Sequence, residues 1–203
     1  MRKIKIIGLT GQSGAGKSTV SEYFKKRNIT VVNADIIVRE LYNANSPCVR
    51  TIAASFGDDV LDENGEIIRP MLAQKAFSSK QSTETLNSIV HPFVTYEFLN
   101  QAGEALHNGE KYIIYDAPQL FESNANLICD EIISVIAEKE IRIKRICVRD
   151  NISQKSAELR INAQLEEEFF RKNSDYIIEN NSDLEYLENQ IEKLSDIILN
   201  RGD

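Results

Sequence analysis

The residues best suited to chemistry form a glycine-rich loop near the start of the 203-residue sequence. Gly11, Gly16, Lys17 and Ser18 match G-x-x-x-x-G-K-[ST], and this pattern stands between a short apolar run and a stretch with helical periodicity. Glycines let backbone amides turn inward around a phosphate, and the N-terminus of the following helix adds a favourable partial positive charge. The pattern therefore predicts a binding site for a nucleoside triphosphate.

Two side chains of this loop have specific expected roles. Lys17 should bridge the β- and γ-phosphates, and the hydroxyl of Ser18 should complete the coordination shell of a magnesium ion. The residues expected to bind ATP here are Gly14, Ala15, Gly16, Lys17, Ser18 and Thr19. The alternative, a glycine turn that binds nothing, fits the strand-loop-helix context poorly.

Two aspartates follow apolar runs further along the chain. Asp35 ends the run ITVVNAD and Asp116 ends the run YIIYD. An acid at the end of a neighbouring strand holds magnesium in this class of site, directly or through water. Each aspartate also has a structural alternative, because an acid after a strand can cap the next helix.

Five apolar runs are expected to form the strands that position these residues. They alternate with helical patterns, which is typical of a parallel sheet with helices on both faces and ligands at the carboxyl ends of the strands. The expected strands cover residues 3–9, 29–35, 111–118, 130–137 and 175–181. The predicted fold is a doubly wound α/β layer around a parallel five-stranded sheet.

The second and third expected strands are separated by residues 36–110, far more than the dozen or so residues that a crossover needs. We expect a helical insertion here, within a single domain that spans residues 1–203. Ser46 and Pro47 predict the N-cap and first position of a helix that Gly57 ends. Other helices are expected over 17–26, 70–77, 83–107 and 183–199, the last packing on the sheet.

Composition excludes several classes of function. The 24 basic and 31 acidic residues give a net charge of -7, which opposes nonspecific binding of nucleic acid. Three scattered cysteines and two histidines do not suggest a zinc site, and we expect the cysteines to be reduced. The apolar run in MRKIKII is too short for a signal peptide or a membrane span. We therefore expect a cytoplasmic protein that acts on small molecules, with no nucleic-acid, membrane or obligate protein partner.

A GTP-binding switch protein is the main alternative from another class, because its nucleotide is a signal and water is the phosphate acceptor. Such a protein should carry N-K-x-D to recognise guanine, and the sequence has no such tetrapeptide. Residues 62–65 fit D-x-x-G, but they lie in a polar Asp/Asn/Gly cluster that is typical of a turn. The switch interpretation is therefore weak.

The sequence resembles the dephospho-CoA kinases over nearly its whole length. The matching segments are GLTGQSGAGKST (8–19), NADIIVREL (33–41), Phe56-Gly57, LNSIVHP (86–92), DAPQLFE (116–122), Arg149-Asp150, R-I-x-x-Q (160–164) and DYIIENN (175–181). The order and spacing of these segments make the resemblance specific. One position departs from it, because the family usually has D-A-D where this chain has Asn33-Ala34-Asp35.

The resemblance implies transfer of the γ-phosphate of ATP, with Mg²⁺, to the ribose 3′-hydroxyl of dephospho-CoA. It also implies a nucleoside-monophosphate-kinase-like core, an acceptor (CoA) subdomain at 36–110 and a helical lid at 139–170. The alternative of another small-molecule kinase on the same scaffold, for a nucleoside or for shikimate, is not excluded, because such an enzyme would have a similar phosphate loop.

The resemblance also implies roles on the acceptor side. Asp35 would orient the 3′-hydroxyl and accept its proton, while Asp116 would hold a magnesium-bound water. The other expected acceptor-binding residues are Thr10, His91 and Leu120. Thr10 has an equally good alternative, in which its hydroxyl satisfies the backbone of the loop. His91 has the alternative of a structural role.

Arginines are expected to act on the phosphate in transfer. By resemblance, Arg145 contacts the transferring group, Arg149 lies beside it and Arg160 lies nearer the adenine and ribose of ATP. Guanidinium groups suit this task because they bind phosphate oxygens bidentately and stay charged. The alternative is a solvated helix face over residues 142–150, with a buried side formed by Ile143, Ile146 and Cys147.

Overall fold

The computed structural model describes residues 3–44 and 46–200. The chain divides into two compact units, one comprising the chain up to Val32 and again from Ala102, the other comprising Asn33–Gln101. The first unit contains a five-stranded sheet in the order β2-β3-β1-β4-β5. The strands are β1 (Lys5–Gly11), β2 (Thr30–Asn33), β3 (Tyr112–Asp116), β4 (Glu131–Ile136) and β5 (Tyr176–Glu179).

The central strands are buried on both faces, as the apolar runs predicted. β1 pairs in parallel with β3 and with β4, and β4 pairs in parallel with β5. Leu9 is opposite Asp116 in this register, and Thr10 is opposite Ser134. The carboxyl ends of β1 and β3 therefore meet at one edge of the sheet, where the glycine-rich loop begins. The predicted doubly wound α/β fold is confirmed.

The described residues contain nine α-helices, which are numbered in chain order. They are α1 (Lys17–Lys26), α2 (Ala34–Leu41), α3 (Pro47–Phe56), α4 (Arg69–Ala76), α5 (Lys80–His107), α6 (Lys139–Asp150), α7 (Gln154–Asn162), α8 (Glu167–Asn173) and α9 (Leu184–Asn200). The expected helix at 17–26 has the observed bounds of α1. Within the described part of the chain, no helix is both long and apolar enough to cross a membrane.

The packing of α9 is confirmed for most of its apolar stripe. Leu187, Ile191, Leu194 and Ile198 are buried in the same cluster as residues of β1, β3 and β4, together with Phe24 of α1. Leu184, which belongs to the same periodic pattern, is instead 58% exposed at the first position of the helix. The stripe thus holds α9 on the sheet from its second turn onward.

The unit Asn33–Gln101 is mainly helical, and several apolar side chains in it are buried. The hydroxyl of Ser46 accepts a hydrogen bond from the amide of Cys48 at 3.2 Å, and Gly57 ends α3 with φ 96°. Both helix signals in the sequence are therefore confirmed. The turn predicted for residues 62–65 is also confirmed, because the carboxylate of Asp62 accepts from the amides of Asn64 and Glu66.

The predicted end of the second strand is wrong. β2 ends at Asn33, and Asp35 lies in the first turn of α2 instead of ending the strand. The side-chain oxygen of Asn33 accepts hydrogen bonds from the amides of Asp35 at 2.9 Å and Ile36 at 3.2 Å. Because this N-cap starts α2 at Ala34, the strand ends two residues before the predicted end at Asp35.

Candidate active site

The glycine-rich loop joins β1 to α1 and directs three successive carbonyl groups towards side chains of its own unit. The carbonyl oxygens of Ser13, Gly14 and Ala15 accept hydrogen bonds at 3.0, 3.4 and 2.7 Å, respectively. The donors, in the same order, are Arg142 Nε, Arg145 Nη1 and Asn180 Nδ2. These bonds give each of the three carbonyls a hydrogen-bond partner within the protein, so none of them has to turn towards a bound anion.

Two positions of the loop require glycine, because the backbone φ is positive there and because a Cβ atom would be too close to neighbouring atoms. Gly14 has φ 79°, and a Cβ there would lie 2.9 Å from the carbonyl oxygen of Arg142. Gly16 has φ 102°, and a Cβ there would lie 2.3 Å from the amide nitrogen of Asn180. A larger residue at either position would be strained and would displace these partners.

Lys17 and Asp116 form a largely buried ion pair beside the loop. The ammonium group of Lys17 contacts Oδ1 of Asp116, and the hydroxyl of Ser21 donates to Oδ2 at 2.6 Å. The side chains of Lys17 and Asp116 are only 14% and 4% exposed. The sequence had predicted both residues but not their pairing, and it had assigned no role to Ser21.

The oxygen donors at this point suit a magnesium ion that arrives with a nucleotide. Mg²⁺ in such sites is held by one or two carboxylates together with waters and substrate phosphates. Asp116 offers one carboxylate, and Ser18 is exposed at the start of α1. Among residues 3–44 and 46–200 there is no group of three or more His, Cys, Asp or Glu side chains that could hold a metal ion. The donor set therefore fits a metal site completed by the phosphates.

Arg142 is buried, which argues against a wholly solvated helix face, the alternative given for residues 142–150. It is 3% exposed, and besides the Ser13 carbonyl it donates to the side-chain oxygen of Gln164 at 2.8 Å. The same oxygen of Gln164 accepts from the amide of Ser13 at 3.0 Å. Burial lowers the pKa of Arg142, an effect that nearby Glu167 opposes. Arg142 and Gln164 together tie the predicted lid region to the phosphate loop.

Arg145 lies one turn further along α6, against the same loop. In addition to its contact with Gly14, its Nη1 donates to the backbone oxygen of Asn180 at 3.0 Å and its Nη2 to the side-chain oxygen at 3.3 Å. The buried side predicted for α6 is also present, because Ile143, Ile146 and Cys147 pack with residues of α7. The helix therefore has both a packed face and a face directed at the phosphate loop.

Arg149 and Arg160 are brought together by one carboxylate. Asp150 accepts from Nε and Nη2 of Arg149 at 2.7 and 2.9 Å, and it also pairs with Arg160 of α7. The hydrogen bonds from Arg149, with the added contact from Arg160, lower the pKa of Asp150 to about 2. The structure thus groups two predicted ATP-binding arginines, although their contact with ATP stays a prediction.

The predicted acceptor-binding residues are divided between the two compact units. Thr10 is fully buried and its hydroxyl donates to the carbonyl of Pro118 at 3.2 Å, a backbone partner that follows β3 and does not belong to the glycine-rich loop of the alternative. Leu120 is fully buried, and a Cβ added at Gly8 would lie 2.8 Å from it. The acceptor roles of Thr10 and Leu120 stay predictions.

The other two acceptor candidates belong to the unit Asn33–Gln101. Asp35 is exposed at the start of α2, as a group that meets a substrate must be. His91 is half-buried in the middle of α5, and this burial lowers its pKa. Their roles also stay predictions.

Two residues that bond the loop had no predicted role. Asn180 directly follows β5 and is 7% exposed, and Gln164 lies between α7 and α8. In the sequence, Asn180 falls within the apolar run 175–181 and Gln164 within the short R-I-x-x-Q pattern, and neither pattern predicts a bond to the loop. A polar residue at the carboxyl end of a parallel strand was the one available signal, because ligand sites form at that edge of the sheet.

Comparison with known sequences identifies close relatives over nearly the whole chain. The family model described as dephospho-CoA kinase matches residues 5–186. A dephospho-CoA kinase from Fusobacterium nucleatum is 40% identical over 195 residues, which is 96% of this chain and 99% of that protein. One from Bacillus licheniformis is 36% identical over 191 residues, covering 94% of this chain and 95% of that protein.

Solved structures share the fold. A Thermus thermophilus protein of known crystal structure aligns with TM-score 0.80 at 26% identity, covering 96% of this chain and 97% of that one. A dephospho-CoA kinase from Campylobacter jejuni aligns with TM-score 0.63 at 22% identity, with the same coverage of both chains. A shikimate kinase from Acinetobacter baumannii aligns at 0.56 and 14% identity, covering 99% and 96%, which is a likeness of fold alone.

The arginine cluster around Asp150 generates a prediction about acid stability. The lowered pKa of Asp150 means that the ionised carboxylate stabilises the folded state above the unfolded pKa of about 3.9 and that this contribution is lost as pH falls towards about 2. Asp150→Asn should therefore lower the free energy of unfolding at pH 7, and the difference from wild type should shrink between about pH 4 and pH 2. Urea unfolding measured at several pH values checks this.

Arg149→Gln provides the matched control, because it removes the main cause of the lowered pKa and should show the same loss of pH dependence. A stability difference for Asp150→Asn that stays constant from pH 7 to pH 2 would contradict the prediction.

Proposed function

Because the chain belongs to the dephospho-CoA kinase family, we propose that it transfers the γ-phosphate of ATP to the ribose 3′-hydroxyl of dephospho-CoA, giving coenzyme A and ADP. The match over residues 5–186 carries this proposal. The nucleoside-triphosphate loop, with its hydrogen-bonded carbonyls and its Lys17–Asp116 pair, supports it. We also propose that the enzyme uses Mg²⁺, acts in the cytoplasm and needs no protein partner.

The phosphate loop would bind the β- and γ-phosphates of ATP through residues 14–19. Lys17 now neutralises the buried carboxylate of Asp116, and a bound triphosphate would offer it a second anionic partner. Ser18 and Asp116 would hold the magnesium ion, Asp116 through a metal-bound water. The ion would neutralise charge on the phosphate oxygens as the γ-phosphoryl group moves.

Asp35 would act on the acceptor. Its carboxylate would hold the 3′-hydroxyl in position for attack on the γ-phosphorus and accept the hydroxyl proton as the new P–O bond forms and ADP leaves. Two observations support this role: Asp35 is exposed, and it lies in the first turn of α2, where the helix N-terminus favours a negative charge. Positioning of the hydroxyl is expected to contribute more than proton transfer.

Arg145 would stabilise the phosphoryl group during transfer. A guanidinium group has five N–H donors, and the bonds to Asn180 and to the Gly14 carbonyl use three of them. Two donors therefore remain for a phosphate next to the loop. Arg149 and Arg160, grouped around Asp150, would contact ATP, with Arg160 nearer the adenine and ribose.

Identification of the product tests the proposed reaction directly. The protein is incubated with Mg²⁺-ATP and with dephospho-CoA, shikimate or a nucleoside, and the new phosphate is located by mass spectrometry. We expect a phosphate on the 3′-hydroxyl of dephospho-CoA alone. Phosphorylation of shikimate or the nucleoside instead would favour another small-molecule kinase, and release of phosphate to water without an acceptor would favour the switch interpretation.

Asp35→Asn should lower turnover with dephospho-CoA by at least about a hundredfold, because the variant cannot accept the hydroxyl proton. Its dissociation constant for ATP should be unchanged. Steady-state kinetics and nucleotide titration measure the two quantities. Asp58→Asn, at an exposed acid of the same unit, is the control and should keep wild-type turnover. Wild-type turnover in Asp35→Asn with normal ATP binding would show that the assignment is wrong.

Arg145→Ala should lower turnover by at least about a hundredfold with little change in ATP affinity, since its contact with the phosphoryl group strengthens chiefly in the transition state. Arg160→Ala should mainly weaken ATP binding. Lys144→Ala, at the exposed position next to Arg145, is the control and should behave like wild type. If neither arginine variant changes turnover or the Michaelis constants, these arginines have no part in catalysis.

A further inference from the structure

We propose that Asn180 is a positioning residue that fixes the guanidinium group of Arg145 against the phosphate loop. This inference deepens the proposed function and rests on the role proposed there for Arg145. Asn180 would not touch the phosphate. It would act by holding the arginine that does.

Asn180 is itself fixed at both its backbone and its side chain. Its amide donates to the carbonyl of Ile136 at 2.9 Å, which continues the pairing of β4 with β5 by one residue. Its side-chain nitrogen donates to the carbonyl of Ala15 at 2.7 Å. The residue is 7% exposed, so neither bond competes freely with water. Asn180 therefore offers Arg145 a rigid surface.

Arg145 uses this surface through two different nitrogens. Nη1 donates to the backbone oxygen of Asn180 at 3.0 Å, and Nη2 donates to the side-chain oxygen at 3.3 Å. Two bonds from one planar guanidinium group to a single residue restrict both the position and the tilt of the plane. A long arginine side chain otherwise has several rotatable bonds to order when the phosphate is transferred. Holding it beforehand lowers that cost in the transition state.

The side-chain carboxamide of asparagine is suited to this position because it has both a donor and an acceptor on one short side chain. The donor meets the Ala15 carbonyl and the acceptor meets Arg145. Aspartate would retain the acceptor and place a second oxygen against the carbonyl, whereas alanine would remove both groups. The close approach also depends on Gly16, where a Cβ would lie 2.3 Å from the Asn180 nitrogen.

The neighbouring residue provides a matched control. The side-chain oxygen of Asn181 accepts from the amide of Glu138 at 2.8 Å, so it also joins the segments that follow β4 and β5. Asn181 is exposed and has no hydrogen bond to the phosphate loop among the described residues. Removing the Asn181 side chain therefore tests whether loss of any hydrogen bond between these two segments lowers kcat, or only loss of the bonds made by Asn180.

A double-mutant cycle tests the proposal. The kcat at saturating ATP and dephospho-CoA is measured for wild type, Asn180→Ala, Arg145→Ala and the double variant. A misplaced Arg145 should lower kcat by about tenfold in Asn180→Ala, and the same substitution should change kcat by less than about twofold when Arg145 is already absent. Asn181→Ala should keep the wild-type kcat. Thermal unfolding of each variant shows whether it is folded.

Asn180→Asp supplies a second measurement that does not depend on the alanine variant being folded. It retains the oxygen that accepts from Arg145 but loses the donor to the Ala15 carbonyl. We therefore expect its KM for ATP to rise while its kcat stays within about threefold of wild type, because the oxygen that positions Arg145 is kept. A kcat lowered by about tenfold or more in a folded Asn180→Asp would contradict the inference.

Two further outcomes would overturn the inference. Equal losses of kcat on substituting Asn180 in the presence and absence of Arg145 would mean that Asn180 does not act through Arg145. A wild-type kcat for the single variant Arg145→Ala would remove the role on which the inference rests. In both cases the mass-spectrometric identification of the product stands independently, so failure here is distinguishable from failure of the proposed reaction.

Discussion

The hydrogen bonds to three successive carbonyl groups of the phosphate loop are the constraint on which the site depends. A buried carbonyl must have a partner, and a loop that directs its amides towards an anion must direct its carbonyls elsewhere. Here the carbonyls of Ser13, Gly14 and Ala15 are bonded by side chains from α6 and from the residue after β5. The loop is therefore held in its phosphate-binding conformation by groups distant in sequence.

The same contacts place positive charge around the loop in a protein with a net charge of -7. Lys17 is balanced by the buried carboxylate of Asp116. Arg142, by contrast, is bonded to two neutral oxygens, and its burial lowers its pKa, with Glu167 opposing that effect. A buried cation with neutral hydrogen-bond partners is costly, and a nearby anion reduces that cost.

Local patterns predicted the strands and most helices. A strand buried on both faces is a continuous apolar run, and a helix cap is a characteristic residue type, so both can be recognised within a short stretch of sequence. The same patterns allow a solvated face for residues 142–150 as an alternative and predict no role for Asn180. Arg142 can be buried because its guanidinium group donates hydrogen bonds to the Ser13 carbonyl and to the side chain of Gln164. Gln164 lies 22 positions after Arg142 in the sequence. No periodic pattern encodes a partner at that distance. The pairing of Lys17 with Asp116 could not be predicted for the same reason, because the two residues are 99 positions apart.

The departure from the family pattern at Asn33 has a local explanation. The residue at this position caps α2 by accepting hydrogen bonds from the amides of Asp35 and Ile36, and asparagine caps a helix about as well as aspartate does. Only an oxygen acceptor is needed to fix the backbone that carries Asp35. A neutral cap also avoids a second negative charge two residues from that carboxylate, where like charges would favour protonation of one of them. The start of α2, and with it the backbone position of Asp35, is therefore maintained without the first acid of the D-A-D pattern.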